Sequence, residues 1–146
     1  MKYLKKYENW FTDLFKSNYE PDMWQDYMDD SLERISGYTK IMSAASEGDT
    51  KKFKYFFKNY ISKLDKTSKD NKTVLIYASI GNGNTKEKIE IIKTLIDNGA
   101  DMNFEYDGKT FYELIEDEKL KKWVDDTYPE FVEDLKFKRT VNKYNV

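Results

Sequence analysis

The sequence predicts an all-α fold in which three helix-turn-helix units, joined by short hairpin loops, stack between helical caps at both ends. Three observations carry this. Apolar residues recur at three- and four-residue steps in one segment after another, the period of a helix that buries one face. A pattern built on threonine returns at Thr39, Thr73 and Thr110, 34 and 37 residues apart. Turn-forming Gly, Asn, Asp and Pro separate the periodic segments.

Taken in chain order, residues 2–16 place Leu4, Tyr7, Phe11, Leu14 and Phe15 on one helical face, which Trp10 widens. Ser17 to Asp22 are turn-rich and contain Pro21, so this helix ends there. Asp22 caps a second helix whose stripe is Trp24, Tyr27, Met28, Leu32 and Ile35. Residues 1–35 are accordingly expected to form an N-terminal helical cap.

From residue 36 the units begin, and their expected bounds are 36–69, 70–106 and 107–126. Gly37-Tyr38-Thr39-Lys40-Ile41-Met42-Ser43-Ala44-Ala45 aligns with Asn71-Lys72-Thr73-Val74-Leu75-Ile76-Tyr77-Ala78-Ser79, and then with Gly108-Lys109-Thr110-Phe111-Tyr112-Glu113-Leu114-Ile115. Each threonine is placed to cap the first helix of its unit, and Ala44-Ala45 with Ala78-Ser79 are small enough for those helices to approach closely. The second unit continues into Ile91-Ile92-Lys93-Thr94-Leu95-Ile96-Asp97-Asn98-Gly99-Ala100-Asp101-Met102-Asn103. Gly99 suits a left-handed helix end there, and Asp101 and Asn103 suit a tight turn.

These residues resemble the ankyrin-repeat family, whose period is about 33 residues. The resemblance spans residues 36 to about 125 and is most specific in the second unit. The family's Thr-Pro-Leu-His reads Thr39-Lys40-Ile41-Met42, Thr73-Val74-Leu75-Ile76 and Thr110-Phe111-Tyr112-Glu113 here, so Pro and His are missing throughout. The loss removes hydrogen bonds between units and implies a divergent stack held by packing. Extra residues at Gly81 to Glu87 lengthen the loop between the second unit's helices, and the first unit has Tyr60-Ile61-Ser62-Lys63-Leu64-Asp65 in place of the Gly-Ala-Asp exit.

The third unit is short, with Leu120, Trp123 and Val124 marking its second helix. A C-terminal helix from about Pro129, using Phe131, Val132, Leu135 and Phe137, closes the stack over residues 127–146, and its tail from Arg139 is expected to fray.

Composition narrows function by exclusion. There is no Cys and no His in 146 residues, which removes disulfides, thiolate metal sites and His-based acid–base or nucleophilic catalysis. The absence of Cys also suits a reducing cytoplasm. Basic and acidic residues, 25 against 27, interleave to a net charge of −2, which disfavours nucleic acid as a partner. No apolar run is long enough for a membrane span, and the first residues lack the apolar core of a signal peptide. A cytoplasmic location is expected. Lys, Asn, Ile and Tyr are plentiful, which codon usage in an AT-rich genome would produce and which would suit a phage or viral protein acting in a host cytoplasm.

The remaining chemistry is weak. The clusters Asp29-Asp30, Glu116-Asp117-Glu118 and Asp125-Asp126 would serve a magnesium-dependent enzyme or nucleotide binder, but acidic helix faces explain them as well. Gly81-x-Gly83 lacks the Gly-Lys-Ser/Thr ending of a phosphate loop. Lys51-Lys52-Phe53-Lys54 and Lys119 to Lys122 are expected on solvated faces of second helices, with Phe53, Phe56, Phe57 and Tyr60 in the core. No catalytic residue, metal site or cofactor is assigned.

What the resemblance implies is a non-catalytic module, an adaptor or inhibitor, that binds another protein through its concave face. Carried onto this sequence, the binding positions are Tyr38, Lys40, Ser43 and Glu47 in the first unit, Lys72, Tyr77 and Ile80 in the second, and Tyr106, Lys109, Asp117 and Glu118 in the third. Tyrosine supplies contact area at low entropy cost, which favours Tyr38, Tyr77 and Tyr106. A competing expectation is self-assembly, as a homodimer through the aromatic residues of the first 35 positions.

Overall fold

The computed structural model describes residue 31 and residues 33–144. Most of the predicted N-terminal cap, and with it the Asp29-Asp30 pair and the aromatic residues proposed for dimerisation, lies outside the described residues. The described part is helical, and its nearest approach to a strand is one bridge between Tyr106 and Lys109.

A helical turn at 33–36 ends on Gly37, whose amide donates to the Glu33 carbonyl at 2.9 Å. Seven α-helices follow: α1 (Lys40–Glu47), α2 (Thr50–Tyr60), α3 (Val74–Ile80), α4 (Thr85–Asp97), α5 (Phe111–Leu114), α6 (Glu118–Thr127) and α7 (Pro129–Tyr144). A 3-10 turn at Ile61–Lys63 follows α2, where the Gly-Ala-Asp exit is missing.

The starts of these helices are written in their caps. Thr39 Oγ1 accepts from the Met42 amide at 3.3 Å, and Thr73 Oγ1 from the Ile76 amide at 3.4 Å. The second helices use other residues: Asp49 accepts from the Lys52 amide, Asn84 from the Glu87 amide, and Asp117 from the amides of Lys119 and Leu120. Each such cap contributes about 1 kcal/mol by satisfying an otherwise unpaired donor.

Helices pair by type. The first helices pack in the order α1 on α3 on α5, while α2 packs on α4, α4 on α6, and α6 on α7. Ala44 and Ala45 on α1 and Ala78 on α3 are fully buried, and side chains this small let packed helices approach closely. Met42 and Ile76, at the fourth position of the threonine pattern, are also fully buried. Phe53, Phe57, Ile91, Ile92, Leu95, Leu120 and Val124 come in from the second helices. Each large side chain so buried stabilises the fold by about 1.5–3 kcal/mol.

Two turn contacts tie successive helix pairs, one between backbones and one from a backbone amide to a carboxylate. The Asn82 amide donates to the Ser46 carbonyl at 2.7 Å, and the Asp101 amide donates to Asp65 Oδ1 at 2.9 Å. Gly81 permits the first, since a Cβ there would lie 2.2 Å from Ser46 O. At the other end of α4, Gly99 has φ +95°, the left-handed conformation its position in the sequence predicts.

Three expectations are corrected. Lys52 is 5% exposed rather than solvated, because its aliphatic stem packs inward and its ammonium donates to Ser43 Oγ at 3.2 Å. Phe137 is 71% exposed: on α7 only Val132 and Leu135 are fully inward, with Phe131 half-buried behind α5. The tail does not fray at Arg139, because α7 runs to Tyr144 and Arg139 is held by hydrogen bonds to Glu113, Glu105 and Gly108.

Candidate partner-binding surface

The loops that lead into α1, α3 and α5 come together along one edge, and four of the predicted residues form a row there. Tyr38, just before α1, meets Tyr77 of α3 edge-to-face at 5.1 Å between ring centroids. Lys72, just before α3, lies with its ammonium 5.5 Å from the Tyr77 ring centre and 5.1 Å from that of Tyr106. The row therefore runs Tyr38, Tyr77, Lys72, Tyr106, from the loop before α1 to the loop before α5.

Its members are held from below. Tyr77 is only 8% exposed, and its hydroxyl is hydrogen-bonded to Ser68 Oγ at 2.9 Å. Tyr106 is fixed by the two backbone hydrogen bonds it exchanges with Lys109, at 2.8 and 3.0 Å. Burial raises the Tyr38 phenol above its ordinary pKa, offset in part by the Ser46 and Ser43 side chains. Tyr38 and Tyr106 are half-buried, and Lys109 is exposed at the tip.

The other predicted positions fall around this row or away from it. Lys40 belongs elsewhere, its ammonium 5.4 Å from the Phe56 ring centre in a cleft that Tyr60 and Glu33 also line. Ser43 and Glu47 belong to a polar group on α1, in which Ser43 Oγ donates to Glu47 Oε1 at 3.0 Å and Lys52 approaches both. Ile80, 41% exposed, lines a cleft of about 270 Å³ with Asn82, Lys88, Leu114 and Glu116.

Asp117 and Glu118 stand at the start of α6. Asp117 spends its carboxylate there: one oxygen accepts the two capping amides and the other the Thr85 hydroxyl. The Thr85 hydrogen bond is the main cause of its lowered pKa, with the capping amides and Lys88 adding to it. Asp117 thus joins α6 to the start of α4, while Glu118 is exposed beside it. Among the described residues no group of three or more acidic side chains could hold a metal ion. No helix of the described residues is long and apolar enough to cross a membrane.

Sequence reasoning missed Ser68 and Arg139. Ser68 is one polar residue in a polar loop, and nothing in its spacing marks the Tyr77 contact. Arg139 donates to both oxygens of Glu113, at 2.6 and 3.0 Å, to Glu105 at 2.9 Å and to the Gly108 carbonyl at 3.0 Å. It braces the loop that carries Tyr106 and Lys109. A second cleft, of about 280 Å³, is lined by Glu33, Thr39, Phe56 and Tyr60, among others. Tyr60 is buried there, with a hydroxyl that has no hydrogen-bond partner among the described residues and a pKa pushed up to about 12 by burial.

No family model matches the chain, no curated protein matches it and no solved structure matches it.

Proposed function

We propose that this chain is a protein-binding module of the ankyrin type, working without catalysis, and that the row Tyr38, Tyr77, Lys72, Tyr106 is the centre of its binding surface. The row carries the proposal: aromatic groups from the loop before α1, from α3 and from the loop before α5 share one edge, and two of them are anchored by hydrogen bonds. A surface ordered before its partner arrives loses less entropy on binding. Lys109, exposed beyond Tyr106, and Ile80, exposed at the end of α3, extend the area that a partner would meet. The pairing of first helices with first and second with second supports the stacked-repeat reading. The lack of His and Cys in the sequence supports a non-catalytic role, and a cytoplasmic setting fits the absence of Cys.

The test is position-specific photo-crosslinking with p-benzoylphenylalanine. It would be placed at Lys69 or Lys109, exposed on the loops that carry the row, and at Lys58 or Lys93, which are exposed on α2 and α4. One adduct of common mass from Lys69 and Lys109, absent from Lys58 and Lys93, is the expected result. Adducts from the second-helix positions alone would move the surface to the opposite side, and none from any position would overturn the binding role.

A further inference from the structure

Lys72 is an unusual member of this row. It is half-buried, yet among the described residues no carboxylate lies within ion-pair distance of its ammonium and no hydrogen-bond acceptor serves it. Lys54, Lys66, Lys138 and Arg139 are matched to carboxylates, whereas most other lysines of the described residues stand exposed without one; Lys72 differs from those in being half-buried and set between two rings. Lys72 is held instead by two tyrosine rings. Ring faces attract the cation and fix its position, but they take up none of its charge as a counter-ion would. Its three N–H donors remain to be satisfied from outside the chain.

We infer that Lys72 is the recognition point for a carboxylate side chain, and that the partner presents an acidic segment along the edge formed by Tyr38, Tyr77 and Tyr106. The inference rests on the binding role proposed above and names the chemistry of the partner. A carboxylate entering beside Lys72 meets a cation already shielded from water on two sides, where a charge-assisted hydrogen bond is stronger than at an open surface. Lys69 and Lys109, exposed on the adjoining tips and without ion pairs among the described residues, add attraction along the same edge. Asp70 and Asp107 stand on those tips too, so the attraction is local to the lysines rather than a broad positive field. Single-stranded nucleic acid is the other polyanion that aromatic and basic side chains can hold. It fits less well, because Tyr77 is buried and the rings of the row are already engaged by Tyr38 and Lys72.

The experiment is selection of random linear peptides by display on the full chain, followed by affinity measurements on the winners made as single peptides. The wild type is expected to enrich peptides containing Asp and Glu. Lys72→Met should weaken those peptides about tenfold, the scale of one charge-assisted contact, and Lys72→Arg should keep them within about threefold. Added salt should weaken wild-type binding and leave Lys72→Met less affected. Thermal melting of both variants alongside the wild type guards against reading a folding defect as lost binding. Winners without acidic residues, or acidic winners that bind Lys72→Met as well as the wild type, would overturn the inference while leaving the binding role intact. A labelled single-stranded oligonucleotide that binds in a Lys72-dependent way would overturn it in favour of nucleic acid. Failure of the wild type to select any peptide would count against the binding role itself, and the inference would fall with it.

Discussion

Arg139 shows how one side chain can decide the shape of a region. Its guanidinium joins α7 to Glu113 on α5 and to Glu105 and Gly108 in the loop between α4 and α5, a set of contacts that only its forked donors can make together. Arg139→Met should cost about 1–3 kcal/mol in urea denaturation, since it leaves Glu113 without its cation and Glu105 with Lys138 alone. The Arg139 hydrogen bond is the main cause of the lowered pKa of Glu113. A carboxylate lowered in this way stabilises the fold above its ordinary pKa of 4.5 and loses that contribution as pH falls through the folded value. Wild type and Arg139→Met should therefore converge in stability well below pH 4.5. Tyr112 has the opposite sign. Burial, and then its 2.6 Å hydrogen bond to Asp125, raise its phenol from 10.0 to about 12. Its contribution is complete below pH 10.0 and is lost as pH rises through about 12. Tyr112→Phe should lose about 1 kcal/mol at neutral pH and remove this part of the alkaline unfolding seen by circular dichroism.

At the scale of elements, the caps and the glycines were the legible parts and the loops were not. Thr39 and Thr73 announced their helices because a hydroxyl at the start of an apolar periodic segment has a fixed task there, accepting from the amide three residues on. Gly99 announced the end of α4 for a similar reason. Lys52 was misread because a lysine stem packs as an apolar group, and a sequence pattern registers only its charge. Phe137 was misread because the period of α7 admits it to the face, while the neighbouring helices reach only as far as Val132 and Leu135. The row at the tips was half legible: its tyrosines stand at repeat positions, but the placing of Lys72 between two rings depends on loop geometry. Gly81 and Gly99 separate two kinds of glycine. Gly81→Ala should destabilise the fold by about 1–3 kcal/mol through collision with Ser46 O, whereas Gly99→Ala, with open space around it, should cost about 1–2 kcal/mol through its left-handed backbone alone. Residue-specific refinement of both variants would tell them apart: only Gly81→Ala should displace the Ser46 turn.

For the whole molecule, stability comes from the column of buried side chains that the paired helices share, and the exposed end of α7 takes no part in it. Leu120→Ala should cost about 2–5 kcal/mol, because Leu120 is fully buried where α6 meets its neighbours. Phe137→Ser should stay within about 0.5 kcal/mol of wild type in the same urea titration, since 71% of its surface is already in water. The difference checks whether α7 closes the stack through Phe131, Val132 and Leu135 alone.

The amide of Asn82 belongs to a residue whose side chain faces water, yet its proton is held by the Ser46 carbonyl on α1. In deuterated solvent that proton can exchange only when the ends of α1 and α3 part. Its rate therefore times the breathing of the column at that joint, while its neighbours in the same loop exchange at the pace of ordinary surface amides.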